Sequence, residues 1–314
     1  INRMLFTERF VEKEEKEFFR LKKIIDGLIE NTSILDIALS EKTSQWPILK
    51  QRKEFVVRPI HQIREFIQTQ VENRKAEIAS GQRDLSNGAE DFVDAFLLEM
   101  NKADKGDSFT EESLVITLFD LWLAGQETTT TTLQWAIAYL ILHPQVLKEL
   151  QEELARVTGR NRAVNLSDKL NTPFLNAVVL ETLRVSSLLP MNMWRLAAED
   201  TAVGEYFVPK GTAVTAQLSL IVADKTHFAT PEKFEPARFL KDSLDQHVCT
   251  FGFGKRACLG ESLARAELYL ILGNFATDYN IVADPNHPAS MEAVSEKGTV
   301  RKAKSYKVFL SKRD

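Results

Sequence analysis

The chain has 314 residues but only two cysteines, Cys249 and Cys258, nine positions apart. Two are too few for a disulfide framework, and their spacing is not that of a metal knuckle, so a reducing compartment is the default. Long apolar runs are scarce as well. The longest, Trp135 to Leu142, stops at His143 and Pro144, well short of the roughly 18 residues that a membrane span requires. The first residues, INRMLFTERFVEKEEKEFF, lack the basic-then-apolar order of a secretory signal. Positive charge is not in excess either. With a net charge of −4 and a pI near 5.9, the chain offers no basic footprint, which argues against a nucleic-acid partner.

What remains is an ordinary globular composition, 44% hydrophobic and 27% charged, long enough to bury a sizeable core in one domain or two. The first half follows helical periodicity. Phe18, Leu21, Ile24, Ile25 and Leu28 form one apolar stripe, and the pattern resumes from Phe55 to Ile78 after a loop at Trp46 and Pro47. The segment from Asp107 to Pro144 predicts a long helix that is apolar on nearly every side and therefore runs through the core. Its start fits a capping box of Ser108 with Glu111, with Thr110 as an alternative cap. Helices are also expected over Gln145 to Val157, with Gly159 as the stop, over Pro173 to Ser186, and from Gly260 to about Thr277. Short strands with turn chemistry, such as EYFVPKGTAV, and a β-rich tail ending SYKVFLSKR supply a small β part. The fold class expected is mainly α with a small β part.

Chemistry concentrates in FGFGKRACLGESLARAEL, Phe251 to Leu268. Its glycines match a dinucleotide fingerprint across Gly252 to Ala257, but that fold needs a buried strand before them and βαβ units after them, which the sequence does not supply. Lys255 is followed by Arg256, not Ser or Thr, so a phosphate-cradling loop fails too. A lone cysteine is more often a buried apolar residue. The alternative gives Cys258 a presented thiolate: Gly254 and Gly260 let the backbone approach a flat cofactor, while the dipole of the following helix and Arg256 favour negative charge.

Two other stretches are ambiguous alone. Glu181 and Arg184 sit three apart, usually a solvated pair worth a few tenths of a kcal/mol. AGQETT, Ala124 to Thr129, places a carboxylate and the start of five successive threonines in an apolar helix. Those residues are poor helix-interior choices, and a buried carboxylate is costly unless paired. A polar patch on a partly exposed helix is the alternative.

Together these stretches resemble the cytochrome P-450 family. Phe251, Gly254, Arg256, Cys258 and Gly260 fill every fixed position of its haem signature F-x-x-G-x-R-x-C-x-G. Glu181 and Arg184 match its E-x-x-R, and Pro231, Phe234, Pro236, Arg238 and Phe239 match P-x-x-F-x-P-x-R-F. The resemblance implies haem b with Cys258 as axial thiolate to the iron, Phe251 near the ring, and Arg256 and Arg195 toward the propionates. It implies a structural triad of Glu181, Arg184 and Arg238. AGQETT resembles [AG]-G-x-[DE]-T, which implies that Gly125 leaves room above the iron, Thr128 hydrogen-bonds oxygen and Glu127 relays protons. Family position places Phe119, Asp120, Leu123, the loop Leu189 to Met193 and the turn near Gly298 around a lipophilic substrate, a fatty acid or a foreign compound. Two departures blur strand register: Glu205 splits Gly204 from Tyr206, and VADKTHF replaces the usual H-R-D-P wording.

The pattern is most similar to the microsomal animal branch. That implies monooxygenation with NADPH-cytochrome reductase as electron source, at the cytosolic face of the endoplasmic reticulum membrane. Residues 1–314 are expected to be one P-450 domain, its C-terminal portion: middle helices, oxygen-activating helix, Glu-x-x-Arg helix, haem-ligand loop and following helix. The membrane-contacting N-terminal part and the W-x-x-x-R helix, for which Trp46 before Pro47 is no substitute, are expected to lie upstream. The alternative expectation is a truncated, non-catalytic remnant with weak or no haem binding.

Overall fold

A computed structural model describes residues 1–7, 15–31, 36, 46–102, 104, 106–241, 243–294 and 299–313. The chain divides into two compact units, Ile1–Thr128 and Thr129–Asp314. The division falls inside a long helix. Gly298, expected near a substrate, lies outside the described residues.

The first unit is helical: α1 (Asn2–Phe6), α2 (Glu15–Asn31), α3 (Pro47–Ala79), α4 (Phe92–Met100) and the opening turns of α5 (Glu111–Leu142). Its core follows the stripes. Leu21 and Ile25 of α2, Ile63, Ile67 and Val71 of α3, and Leu114, Leu118 and Trp122 of α5 are fully buried. Each such side chain contributes roughly 1.5–3 kcal/mol of transfer free energy. The helix α3 starts earlier than its apolar pattern, because Pro47 stands in the first turn, where its missing N–H costs nothing. At the start of α5 the structure selects Thr110 over Ser108. The Thr110 hydroxyl accepts from the Ser113 N–H at 3.1 Å, and the Ser113 hydroxyl accepts from the Thr110 N–H at 3.0 Å. The reason is position: Glu111 is the first helical residue, whereas a reciprocal cap uses the third.

One buried ionic cluster in this unit has no counterpart among the sequence expectations. Arg74 donates to Asp91 and Asp94, both at 2.7 Å, and to the Phe6 carbonyl at 2.8 Å. Arg83 reaches Asp94 from the other side, and Asp91 caps α4 by accepting from the Asp94 N–H. The cluster ties α1, α3 and α4 together.

The second unit holds the rest of α5, then α6 (Pro144–Thr158), α7 (Pro173–Ser186), α8 (Leu218–Ile221) and α9 (Glu261–Asp278). Three two-stranded antiparallel sheets accompany them. They pair β1 (Arg195–Leu196) with β4 (Ala213–Val214), β2 (Thr201–Val203) with β3 (Tyr206–Val208), and β5 (Tyr279–Ala283) with β6 (Val308–Lys312). The mainly α expectation with a small β part holds. In the β2–β3 hairpin Val203 faces Tyr206, so the extra Glu205 shares a two-residue turn with Gly204, whose φ of 60° suits glycine. α6 stops at Gly159 in the left-handed conformation. α7 and α9 pack closely because Gly273 carries no side chain: a Cβ there would fall 2.9 Å from Leu175.

Candidate functional site

The residues singled out by sequence fall into three settings. The first is the Cys258 loop. Gly252 and Gly254 adopt φ near 75° and 70°, conformations that L side chains disfavour. They fold the chain back so that the Cys258 N–H donates to the Phe251 carbonyl at 2.9 Å and the Ala257 N–H to the Gly254 carbonyl at 3.0 Å. The Cys258 thiol is exposed, three residues ahead of α9, whereas Cys249 is buried. Burial pushes the Cys249 thiol up and so disfavours its thiolate. Phe251 is anchored by the Arg265 guanidinium, 5.0 Å above its ring.

A second stretch joins this loop. A Cβ on Gly252 would lie 3.4 Å from the Asn192 side chain. Asn192 is fixed in turn by its N–H on the Ala216 carbonyl and by its own carbonyl, which accepts from the Thr215 hydroxyl. The exposed Arg195 follows, donating to the Met193 and Trp194 carbonyls at 2.9 and 3.2 Å.

These two stretches fit a flat, apolar, doubly acidic macrocycle held by one sulfur. A Cβ at Gly254 or Gly260 meets no atom within 4 Å. Phe253 and Leu259 in the loop, and Trp194 and Leu196 in the second stretch, are exposed apolar groups, and the Cys258 thiol is exposed. Arg195 and Arg256 are exposed guanidiniums, the side chains best matched to carboxylates.

The second setting is Glu181, Arg184 and Arg238, which the structure brings together. Arg184 donates to both Glu181 oxygens at 2.7 and 2.9 Å. Arg238 donates to Glu181 at 3.1 Å, and the Glu235 N–H adds a bond at 2.8 Å. Arg184 also reaches the carbonyls of Val222, Pro231 and Lys233. Glu181 and Arg184 are 0% and 2% exposed, so the solvated-pair alternative does not describe them.

The third setting is α5. It runs unbroken through the threonine run, and Thr128 donates to the Ala124 carbonyl at 2.7 Å, a back-bond that occupies the hydroxyl proton locally. Glu127 is buried, with the Lys22 ammonium 4.0 Å away. A Cβ on Gly125 would come within 3.0 Å of the Ile1 side chain. In this structure the space that the glycine opens is filled by Ile1. A cavity of about 650 Å³ in the first unit is lined by Asn2, Gln70, Asn73 and Arg74 and carries none of these motif residues.

Sequence reasoning missed the buried Glu153. Its two oxygens accept from the Phe174 and Leu175 N–H groups at 2.9 Å each and cap α7 from α6. Pro173 marks the helix start, but the side chain that satisfies the next amides is twenty residues upstream, where no local motif announces it.

A mainly helical fold, a glycine-bent loop that presents a cysteine at the head of a helix and a buried Glu–Arg–Arg cluster are the features that the resemblance to a haem-thiolate family implies. The comparisons make it specific: the family model described as Cytochrome P450 matches residues 1–310, and the chain belongs to the cytochrome P450 family. It is 35% identical over 301 residues to the probable cytochrome P450 cyp-35D1 of Caenorhabditis elegans, covering 92% of this chain and 59% of that protein. It is 34% identical over 286 residues to cytochrome P450 2C5 of Oryctolagus cuniculus, covering 88% and 56%. A zebrafish cytochrome P450 solved with abiraterone superposes with a TM-score of 0.81 at 28% identity, covering all of this chain and 69% of that one. The chain thus spans under three fifths of these two sequence relatives' length. Members of the family bind haem through a cysteine thiolate.

Proposed function

We propose that the protein to which this chain belongs is a haem-thiolate monooxygenase acting on a lipophilic small molecule, a fatty acid or a foreign compound. One atom of O2 enters the substrate and the other leaves as water, with two electrons from NADPH delivered by a flavin-containing reductase. Haem supplies the iron at which oxygen is activated. Cys258 holds it through sulfur, Arg195 and Arg256 pair with its propionates, and Phe251 packs near the ring. Thr128 holds a proton at Oγ1 and Glu127 passes protons to it. Each would exchange a present partner, the Ala124 carbonyl and the Lys22 ammonium, for that role. Glu181, Arg184 and Arg238 position and do not react. Family membership also supports a site of action at the endoplasmic reticulum membrane, on its cytosolic face.

The observation that carries this reading is the contrast between the chain's two cysteines, one exposed at the tip of a glycine-bent loop, the other buried. The test is the carbon monoxide spectrum of the reduced, haem-loaded protein. Cys249→Ser keeps the thiolate-type band and Cys258→Ser loses it. The reverse pattern removes the assignment, and no haem uptake by the native chain favours the remnant alternative.

A further inference from the structure

A concavity of about 270 Å³ in the second unit lies among α6, the C-terminal end of α9 and the last strand, β6. Three cations line it: Arg160, Lys312 and Arg313. None of the three has an ion-pair partner among the described residues. Their neighbour Arg162, by contrast, holds Asp168 at 2.7 Å. Asp278 also lines the concavity, but its carboxylate is exposed and does not reach the cations within ion-pair distance.

The cations are placed by backbone, not by chance extension into solvent. Arg160 has a φ of 59°, directly after the left-handed Gly159, a conformation that L side chains disfavour. Its N–H donates to the Thr158 hydroxyl at 3.2 Å. Arg313 is fixed by its N–H on the Asp278 carbonyl at 2.9 Å and by Nη1 on the Ala276 carbonyl at 3.0 Å, which leaves most of its donor fork open. Gln151 binds the same Ala276 carbonyl and that of Tyr279, closing the floor. Burial and then the charge of Arg160 lower Arg313 from the ordinary guanidinium value. Like charges gathered in one concavity without an ion-paired carboxylate among the described residues repel, and a bound dianion reverses the sign of that interaction.

We propose that this concavity is a binding site for a phosphate-class oxyanion, held by Arg160, Lys312 and Arg313. The chemistry is shared by free phosphate, a phosphomonoester and a lipid phosphate headgroup. Guanidinium forks match tetrahedral oxyanions through paired N–H donors, which favours phosphate over chloride or a single carboxylate. The site is separate from the Cys258 loop and does not depend on the proposed activity.

Calorimetric titration of the whole chain with inorganic phosphate, against chloride at matched ionic strength, tests it. The informative variant is Arg160→Gly, because glycine keeps the left-handed backbone while removing the charge. Saturable binding of one phosphate per chain is expected, weakened at least tenfold by Arg160→Gly and by Lys312→Gln, with the Arg160→Gly protein melting no lower than the native in the absence of phosphate. A second arm uses phosphatidylcholine vesicles with and without phosphatidylinositol phosphate. Binding seen only with the phosphoinositide vesicles and lost in Arg160→Gly assigns a lipid headgroup as the source. Phosphate bound no better than chloride together with vesicles bound regardless of headgroup overturns the site, as does an Arg160→Gly protein that binds like the native one.

Discussion

The Glu181 cluster and the Cys258 loop lie in the same unit and are both rich in ionisable groups, yet their polar atoms end differently. Glu181 accepts from two guanidiniums and a backbone N–H, and Arg184 completes its set on three carbonyls. In the loop the backbone is satisfied, but the Cys258 thiol and the Arg256 guanidinium are exposed and make no hydrogen bond among the described residues. A cluster whose partners are all supplied by the chain is built to hold the chain. A loop that satisfies its backbone and turns its reactive side chains outward is built to hold something else.

That difference sets the order of mutational effects. Glu181→Ala leaves the Arg184 guanidinium, 2% exposed, without its carboxylate and Arg238 with only the exposed Glu235, and breaking a buried pair this way costs about 3–5 kcal/mol. Urea unfolding is the measurement, and a loss under about 1 kcal/mol would contradict the structural role. Glu153→Ala comes next. It removes a cap and strands two buried N–H donors of α7, an effect of about 2 kcal/mol, with Glu153→Gln recovering part of it. Cys258→Ser sits at the other end. Replacing an exposed side chain that makes no hydrogen bond among the described residues shifts apo stability by less than about 0.5 kcal/mol, although it abolishes the thiolate spectrum. A large apo destabilisation by Cys258→Ser would mean that the loop is structural after all.

The same contrast explains what was legible in the sequence. α6, α7 and α9 lie within about one residue of their expected bounds, Pro144–Thr158 against Gln145 to Val157, Pro173–Ser186 as expected, and Glu261–Asp278 against Gly260 to about Thr277, because caps and breakers act on their own neighbours. Of the five stripe positions, Leu21 and Ile25 are fully buried and Phe18, Ile24 and Leu28 partly so, as their spacing requires. Glu181 with Arg184 could not be told from a surface pair until Arg238, dozens of residues later, was set beside them. The Arg74–Asp91–Asp94 cluster and the Glu153 cap were invisible for the same reason: each closes through space between helices, and neither leaves a local pattern. The Ser108 cap failed by a register of two residues, the margin at which helix ends are ordinarily uncertain. Gly125 shows a further limit, since the sequence says that space is needed there but not that Ile1 fills it here.

The smallest expected effect is a pH dependence at a local knot outside both regions. Asp168 accepts from both Nη atoms of Arg162 at 2.7 and 2.8 Å and from the Asn165 N–H at 3.0 Å. It closes the capping box of the short helix Leu166–Asn171, just ahead of α7. The hydrogen bonds from Arg162, and then from Asn165, hold its carboxyl down at about 2, against an ordinary value of 3.8. The folded state therefore takes up this proton less readily than the unfolded chain does. The stabilisation is complete above the ordinary carboxylate value and is lost as the pH falls from about 3.8 through about 2. Arg162 stays protonated throughout, so the change belongs to Asp168. Other carboxylates titrate in the same range, and only the difference between native chain and Asp168→Asn isolates this one. Urea midpoints of both proteins measured from pH 5 down to about pH 2 should converge, with the native chain losing more stability on acidification. Parallel curves, with the gap unchanged across the window, would show that the Arg162–Asp168 pair contributes nothing through its charge.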